Sequence, residues 1–203
     1  MHKEIVDFLN SSVAESKATF HEAQVGDHSI FIEPTSILEV CNALKNSQWE
    51  FNVLQVITGC DYSDRIEVSY ILASYTHNHE VIVKAKLPKK SPEAEVEIDS
   101  VCSVWIAANF QERECFDMVG VKFNGHPDHR RILCPDDWEG YPLRKDYVVQ
   151  ETYKHMTVNP AHKVNTEDHF FGDRLKRNSD EPKKVSVSWK IPEFPATEEN
   201  KDA

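Results

Sequence analysis

Ile5, Leu9 and Val13 recur every four residues with Val6 and Phe8 beside them, which lays one apolar stripe along a first amphipathic helix. Two short strands are predicted next, Ala18 to Glu22 and His28 to Ile32, with Gly26-Asp27 as the turn between them. Pro34 ends the second strand, and Thr35 or Ser36 can cap a helix running to about Asn46. Ile37, Leu38, Cys41 and Leu44 mark the buried face of that helix, while Glu39, Lys45 and Asn46 face water.

Three longer strands are predicted after it: Phe51 to Ile57, Arg65 to Tyr75 and His79 to Leu87. Gly59, Asp61 and Ser63 supply the first turn, and Thr76-His77-Asn78 closes a hairpin. Ile66, Val68 and Tyr70, with Val81, Val83 and Ala85 opposite, keep the period of two of a sheet packed on one face. The order α-β-β-α-β-β-β predicts an α+β protein, a two-layer α-β sandwich with helices on one side of a largely antiparallel sheet.

Lys89-Lys90-Ser91-Pro92 reads as a linker, after which Asp99 or Ser100 caps a third helix carrying Val101, Val104, Trp105, Ala108, Cys115 and Met118. A motif loop follows Gly120. From about Val148 the periodicity is lost and Pro160, Pro182, Pro192 and Pro195 punctuate polar runs, which predicts a C-terminal tail that packs no core of its own. Val185, Val187 and Trp189 alternate within Lys184 to Phe194, so that part is expected to lie extended along a partner. The expected organisation is a sandwich core over 1–88, a helix and charged segment packed on it over 98–147, and an extended partner-binding tail over 148–203.

The chain has 203 residues, enough to bury a substantial core in one domain. Its formal charge of −11 argues against a general nucleic-acid or anionic-membrane binder, which needs cationic surface. No stretch free of Asp, Glu, Lys and Arg exceeds 12 residues, whereas a membrane-spanning helix needs about 20 largely apolar ones. The start, Met1-His2-Lys3-Glu4, leads into an amphipathic segment containing acids and resembles neither a secretory leader nor an Arg-rich transit peptide, so bacterial cytoplasmic synthesis is expected. Cys41, Cys60, Cys102, Cys115 and Cys134 are odd in number and widely spread, which fits buried thiols in a reducing compartment.

Residues 112–147 hold three of the six glycines and crowd acids, bases and aromatics together. Glu112-Arg113-Glu114, then Asp117, Met118, Val119, His126 and Arg130, followed by Gly125-His126-Pro127, Arg130-Arg131, Trp138-Glu139-Gly140 and Pro142 to Tyr147, resemble the signature of one family. That family is the 30 kDa subunit, or C subunit, of the proton-translocating NADH-quinone oxidoreductase, respiratory complex I. Val119 stands where a larger Phe or Leu is usual and His129 where Leu is usual; a buried neutral His129 needs a partner or partial exposure, because an unpaired buried polar group costs roughly 1–3 kcal/mol.

The resemblance implies the same α+β architecture and a structural subunit of a hydrophilic peripheral arm, with no catalytic, cofactor or metal residue on this chain. It implies a complex that moves electrons from NADH through FMN and iron-sulfur clusters to quinone and pumps protons. The larger D subunit, which helps form the quinone site, is the implied main partner, with the B and I subunits as further neighbours. The implied place is the cytoplasmic side of a bacterial inner membrane. The interface residues it points to are Glu112, Arg113, Glu114, Asp117, His126, Arg130, Arg131, Trp138, Arg144 and Lys145. The equivalent subunit of a membrane-bound hydrogenase, a formate hydrogenlyase or another donor's quinone oxidoreductase is the closest alternative.

Chemistry carried by the chain itself has less support. The cysteines contain no Cys-x-x-Cys, so a dedicated zinc or iron-sulfur site has little backing. His126 and His129 could face a metal in a small metalloprotein, but Pro127 opposes a regular helix there, and the bland alternative is surface or interface histidines. Glu112 and Glu114 project about 200° apart on a helix at ~100° per residue, so they do not converge as a hydrolytic pair. Arg113 is instead expected to reach Asp117 at i+4. Arg130, Arg131, Arg144 and Lys145 are flanked by Asp128, Asp136, Asp137, Glu139 and Asp146, which describes a mutually neutralised network at a protein contact, with Trp138 and Tyr141 supplying buried area. No dinucleotide fingerprint, P-loop or nucleophile elbow is present.

Overall fold

The computed structural model describes residues 1–23, 26–89, 95–150 and 152–157. It divides into two compact units, Met1–Val148 and Val149–Ala203. In the second unit the described part is a hairpin of two short strands, Thr152–Tyr153 and Met156–Thr157, with Lys154 and His155 at positive φ in the turn. The Lys90–Pro92 part of the expected linker and the segment Lys184 to Phe194 expected to lie extended along a partner are outside the described residues.

The first unit begins with α1 (His2–Ser12), whose Ile5 and Leu9 are buried as the four-residue spacing requires. β1 (Thr19–His21) pairs antiparallel with β2 (Ser29–Ile32), and Gly26 turns between them at φ 88°. Pro34–Ser36 forms a 3-10 turn leading into α2 (Ile37–Lys45), which buries Ile37, Val40, Cys41 and Leu44. Ser36 occupies the N-cap position, but its hydroxyl donates to the Glu33 carbonyl and does not cap α2.

β3 (Val53–Asp61), β4 (Arg65–Ser74) and β5 (His79–Pro88) complete a five-stranded sheet in the order β1-β2-β5-β4-β3. All pairings are antiparallel except β2 with β5. Val68 pairs with Ala85, Tyr70 with Val83 and Leu72 with Val81, all of them buried against the apolar faces of the helices. This is the expected two-layer α+β sandwich in the expected order.

Three local expectations give way. Gly59 and Asp61 belong to β3 itself, so the turn after it starts later than the glycine suggested. The predicted start of the third helix is instead a strand, β6 (Val96–Asp99), followed by turns to Ala107, and α3 runs from Ala108 to Val119. Val101, Val104 and Trp105 are buried from those turns, which is why they kept a helix-like spacing. The motif segment after Gly120 opens as a further strand, β7 (Val121–Asn124), parallel to β6. The intervening helix supplies the crossover that a parallel pair needs.

α3 lies against edge strand β3. A Cβ built on Gly59 would sit 2.7 Å from Cys115 Sγ and 3.4 Å from Val119, so the missing side chain sets how closely helix and strand approach. The register of β3 slips between Leu54 and Val56, and Gln111 of α3 serves the slipped edge: its Oε1 accepts from the Ile57 N–H and its Nε2 donates to the Gln55 carbonyl. The edge is thus covered, as an exposed ladder needs to be.

Candidate functional site

The signature sits on α3, on β7 and on the segment that follows, and most of its charges turn inward. Glu112 is fully buried. Its Oε2 accepts from Ser100 Oγ at 2.6 Å and from Cys102 Sγ at 3.4 Å, and its Oε1 accepts from the Val101 N–H at 2.8 Å. It therefore straps the 100–102 turn onto the helix, which is the role Ser100 takes in place of the expected cap. Burial pushes the Glu112 carboxyl up, opposed by the hydrogen bonds from Ser100, Val101 and Cys102 and by the nearby His126.

One turn further on, Asp117 is equally buried. Its Oδ2 takes the backbone N–H groups of Ile132, Leu133 and Cys134 at 3.1, 2.6 and 2.8 Å, and its Oδ1 takes Arg131 Nη1 at 2.6 Å. Desolvation pushes this carboxyl upward, but the Cys134 amide, the Arg131 guanidinium and the Leu133 and Ile132 amides outweigh it and hold it below the usual aspartate range. Arg131 also donates to the Trp138 and Gly140 carbonyls. The expected Arg113–Asp117 pair does not form: Arg113 donates to the Arg130 and Arg131 carbonyls and lies 3.5 Å from Asp128, which also pairs with Arg130. Helical spacing put the two within reach, but each found closer partners in the loop.

The far end of the segment is tied down just as firmly. Gly120 ends α3 in the left-handed region at φ 77°, and Arg144 donates its Nε to the Val119 carbonyl at 2.7 Å, satisfying a helix-terminal acceptor. Tyr141 lies across Gly120, where a Cβ would come within 2.5–2.8 Å of its ring; the Arg131 and Arg144 guanidinium carbons are 5.2 and 4.8 Å from the ring centre. Tyr141 and Arg144 thus pack inside the unit. Asp61, at the end of β3, accepts the Lys145 N–H at 2.9 Å and Lys89 Nζ at 2.6 Å. Burial pushes Asp61 up, but these two contacts and the nearby Arg144 leave it depressed. Lys145 therefore engages through its backbone, with its ammonium 5.8 Å from the Tyr62 ring. Asp61 escaped the sequence reading because an Asp beside Gly59 and Ser63 reads as turn chemistry.

His126 is not a surface residue: its side chain is buried, with Nε2 3.1 Å from the Asn109 carbonyl and 4.0 Å from Glu112. Its Nδ1 accepts the Asp128 N–H. His129 is half-buried, packs tilted against Phe116 with ring centres 4.2 Å apart and accepts the Phe123 N–H at 3.1 Å, which meets the requirement for a partner. Cys102, Glu112 and His126 bring one metal-ligand atom each within 4.8 Å of one another. The hydrogen bonds there oppose coordination, because Nδ1 facing an N–H donor leaves the proton of a neutral ring on Nε2, the atom a metal would need. Of the thiols, Cys41 and Cys115 are buried, burial pushing Cys115 up to about 12, Cys102 and Cys134 are half-buried, and Cys60 is exposed, against the expectation of uniform burial. Glu114 and Arg130 are exposed and Trp138 is half-buried.

Fold and site together define the class, an α+β sandwich closed at one end by a charge-pinned segment. The family described as "Respiratory-chain NADH dehydrogenase, 30 Kd subunit" matches residues 30–153, and the chain belongs to that family. It is 44% identical over 148 residues to the C subunit of the NADH-quinone oxidoreductase of Moorella thermoacetica, covering 70% of this chain and 97% of that one. The same subunit of Chloroherpeton thalassium is 47% identical over 116 residues, 56% of this chain, and the match spans about half of that relative (47%). A chain from "the membrane-bound sulfane sulfur reductase (MBS), an archaeal respiratory membrane complex" shares the fold, with TM-score 0.58 and 24% identity over 72% of this chain and 85% of that one. Among the described residues no helix is long and apolar enough to cross a membrane.

Proposed function

We propose that this chain is a non-catalytic assembly subunit in the peripheral arm of a proton-translocating NADH-quinone oxidoreductase. FMN, iron-sulfur clusters and quinone belong to its neighbours, and electrons travel from NADH to quinone without passing through this chain. The larger D subunit is its main partner, with the B and I subunits adjacent, on the cytoplasmic side of a bacterial inner membrane.

Besides family membership, the observation that carries this reading is the inward direction of the signature charges. An acid-base site needs a carboxylate that meets substrate, whereas Glu112 and Asp117 are sealed against backbone N–H groups and Arg131. Fixing a loop to a helix in this way makes a rigid body, and electron transfer between neighbouring subunits needs their separation held constant.

The test is affinity purification of the tagged chain from its host, with the co-purifying subunits identified. Recovery with other subunits of an NADH-oxidising, quinone-reducing complex is expected. Recovery as a lone monomer with its own turnover or a stoichiometric metal ion would overturn the proposal, and recovery with a hydrogenase would assign it to another donor's complex.

A further inference from the structure

One acid of the signature is not engaged internally. Glu114 is exposed on the flank of α3 away from Glu112 and makes no hydrogen bond or ion pair among the described residues. One turn before it, at i−4 on the same face, Phe110 is 64% exposed, and Ile106 before that is 89% exposed. The Ile106 carbonyl already accepts the Asn109 N–H, so the chain is turning there and both side chains are mounted on ordered backbone. In the loop pinned to the helix, Leu133 is 63% exposed although its N–H is fixed to Asp117. The loop over 130–134 thus engages α3 through Arg113 and Asp117, while Phe110, with the Arg113 guanidinium carbon 5.6 Å from its ring centre, stays largely exposed.

Resting on the assembly role above, we propose that Ile106 and Phe110, edged by Glu114, form a docking ridge for a partner protein's segment that presents apolar side chains flanked by Arg or Lys. Exposed apolar side chains on a pinned surface mark interaction sites. Charge selects the occupant. The chain carries −11 overall and Glu114 has no ion-pair partner among the described residues, so an anionic bilayer or a second copy would bring further negative charge against it, whereas a basic partner would pair with it. The buried acids and bases of the signature act indirectly, by holding the ridge in place.

The test uses the tagged full-length chain expressed in its host as wild type, Ile106→Asp, Phe110→Asp, Glu114→Gln and Glu114→Arg. Partner subunits recovered per tagged chain are quantified, and thermal unfolding of each purified chain reports its fold. Each Asp variant is expected to lower recovery about tenfold or more with an unchanged unfolding midpoint, as loss of a central apolar anchor does. Glu114→Arg should reduce recovery more than Glu114→Gln, and because it adds no buried charge it reads the ridge independently of folding. Wild-type recovery in both Asp variants and in Glu114→Arg would overturn the ridge while leaving the assembly role standing; a wild-type chain recovered alone would overturn both. A dimer of the purified chain abolished by Phe110→Asp, or flotation of the chain with anionic vesicles, would assign the ridge to a second copy or to lipid and so contradict the proposal.

Discussion

Between β4 and β5 the contacts are Ile66 with Leu87, Val68 with Ala85 and Tyr70 with Val83, aliphatic and aromatic surface removed from water. Between α3 and residues 130–145 they are Asp117 with three amides and Arg131, Arg113 with two carbonyls, and Arg144 with the helix end. The first kind of contact is non-directional and indifferent to pH. The second depends on each partner being present and ionised, because a buried group that loses its partner keeps its desolvation penalty. Two regions of one unit therefore fail in different ways, and the family signature lies in the one whose failure is specific.

The largest effects separate the regions most sharply. Asp117→Asn places an amide NH2 among N–H donors and leaves Arg131 uncompensated, and is expected to cost about 3–5 kcal/mol in denaturant unfolding. Leu72→Ala in the sheet should cost about 2–5 kcal/mol. Their pH dependence should differ. The folded Asp117 carboxyl lies below its ordinary value, so its contribution is fully present above the unfolded pKa of about 3.9 and is lost as pH falls through the lower folded value. Stability curves of wild type and Asp117→Asn should converge in acid, while those of wild type and Leu72→Ala stay parallel. Parallel curves for both would erase the distinction.

Gly120→Ala comes next, at about 1–2 kcal/mol for a left-handed position plus the displacement of the Tyr141 ring. With Tyr141→Ala in a double-mutant cycle the steric part should vanish and the backbone part remain. The smallest effect is expected for His129→Leu, which takes the acceptor from the Phe123 N–H, costing about 1 kcal/mol by thermal unfolding. A stabilised His129→Leu would show that packing on Phe116 outweighs that bond.

The sandwich was legible in the sequence because burial on one face of a strand or helix writes a period, and Ile66, Val68 and Tyr70 or Ile5 and Leu9 keep it. β6 and β7 were not, since four residues each are too few to show a period and Val101, Val104 and Trp105 imitate a helix from buried turns. The resemblance identified the charged residues, but not their partners. Backbone N–H groups and carbonyls carry no sequence identity, so Asp117's contact with Ile132, Leu133 and Cys134 could not be read, and the i+4 rule paired it with Arg113 instead. Helical angle separated Glu112 from Glu114 but did not say which of them is buried; Glu112 is and Glu114 is exposed.

The signature residues hold the motif segment onto α3 from within the chain. Amide hydrogen exchange at Ile132, Leu133 and Cys134 in Asp117→Asn, read at neutral pH beside Val68 and Tyr70 of β4, tests it directly. Protection at the three loop amides is expected to collapse while β4 keeps its own. Unchanged protection at the loop amides would contradict it.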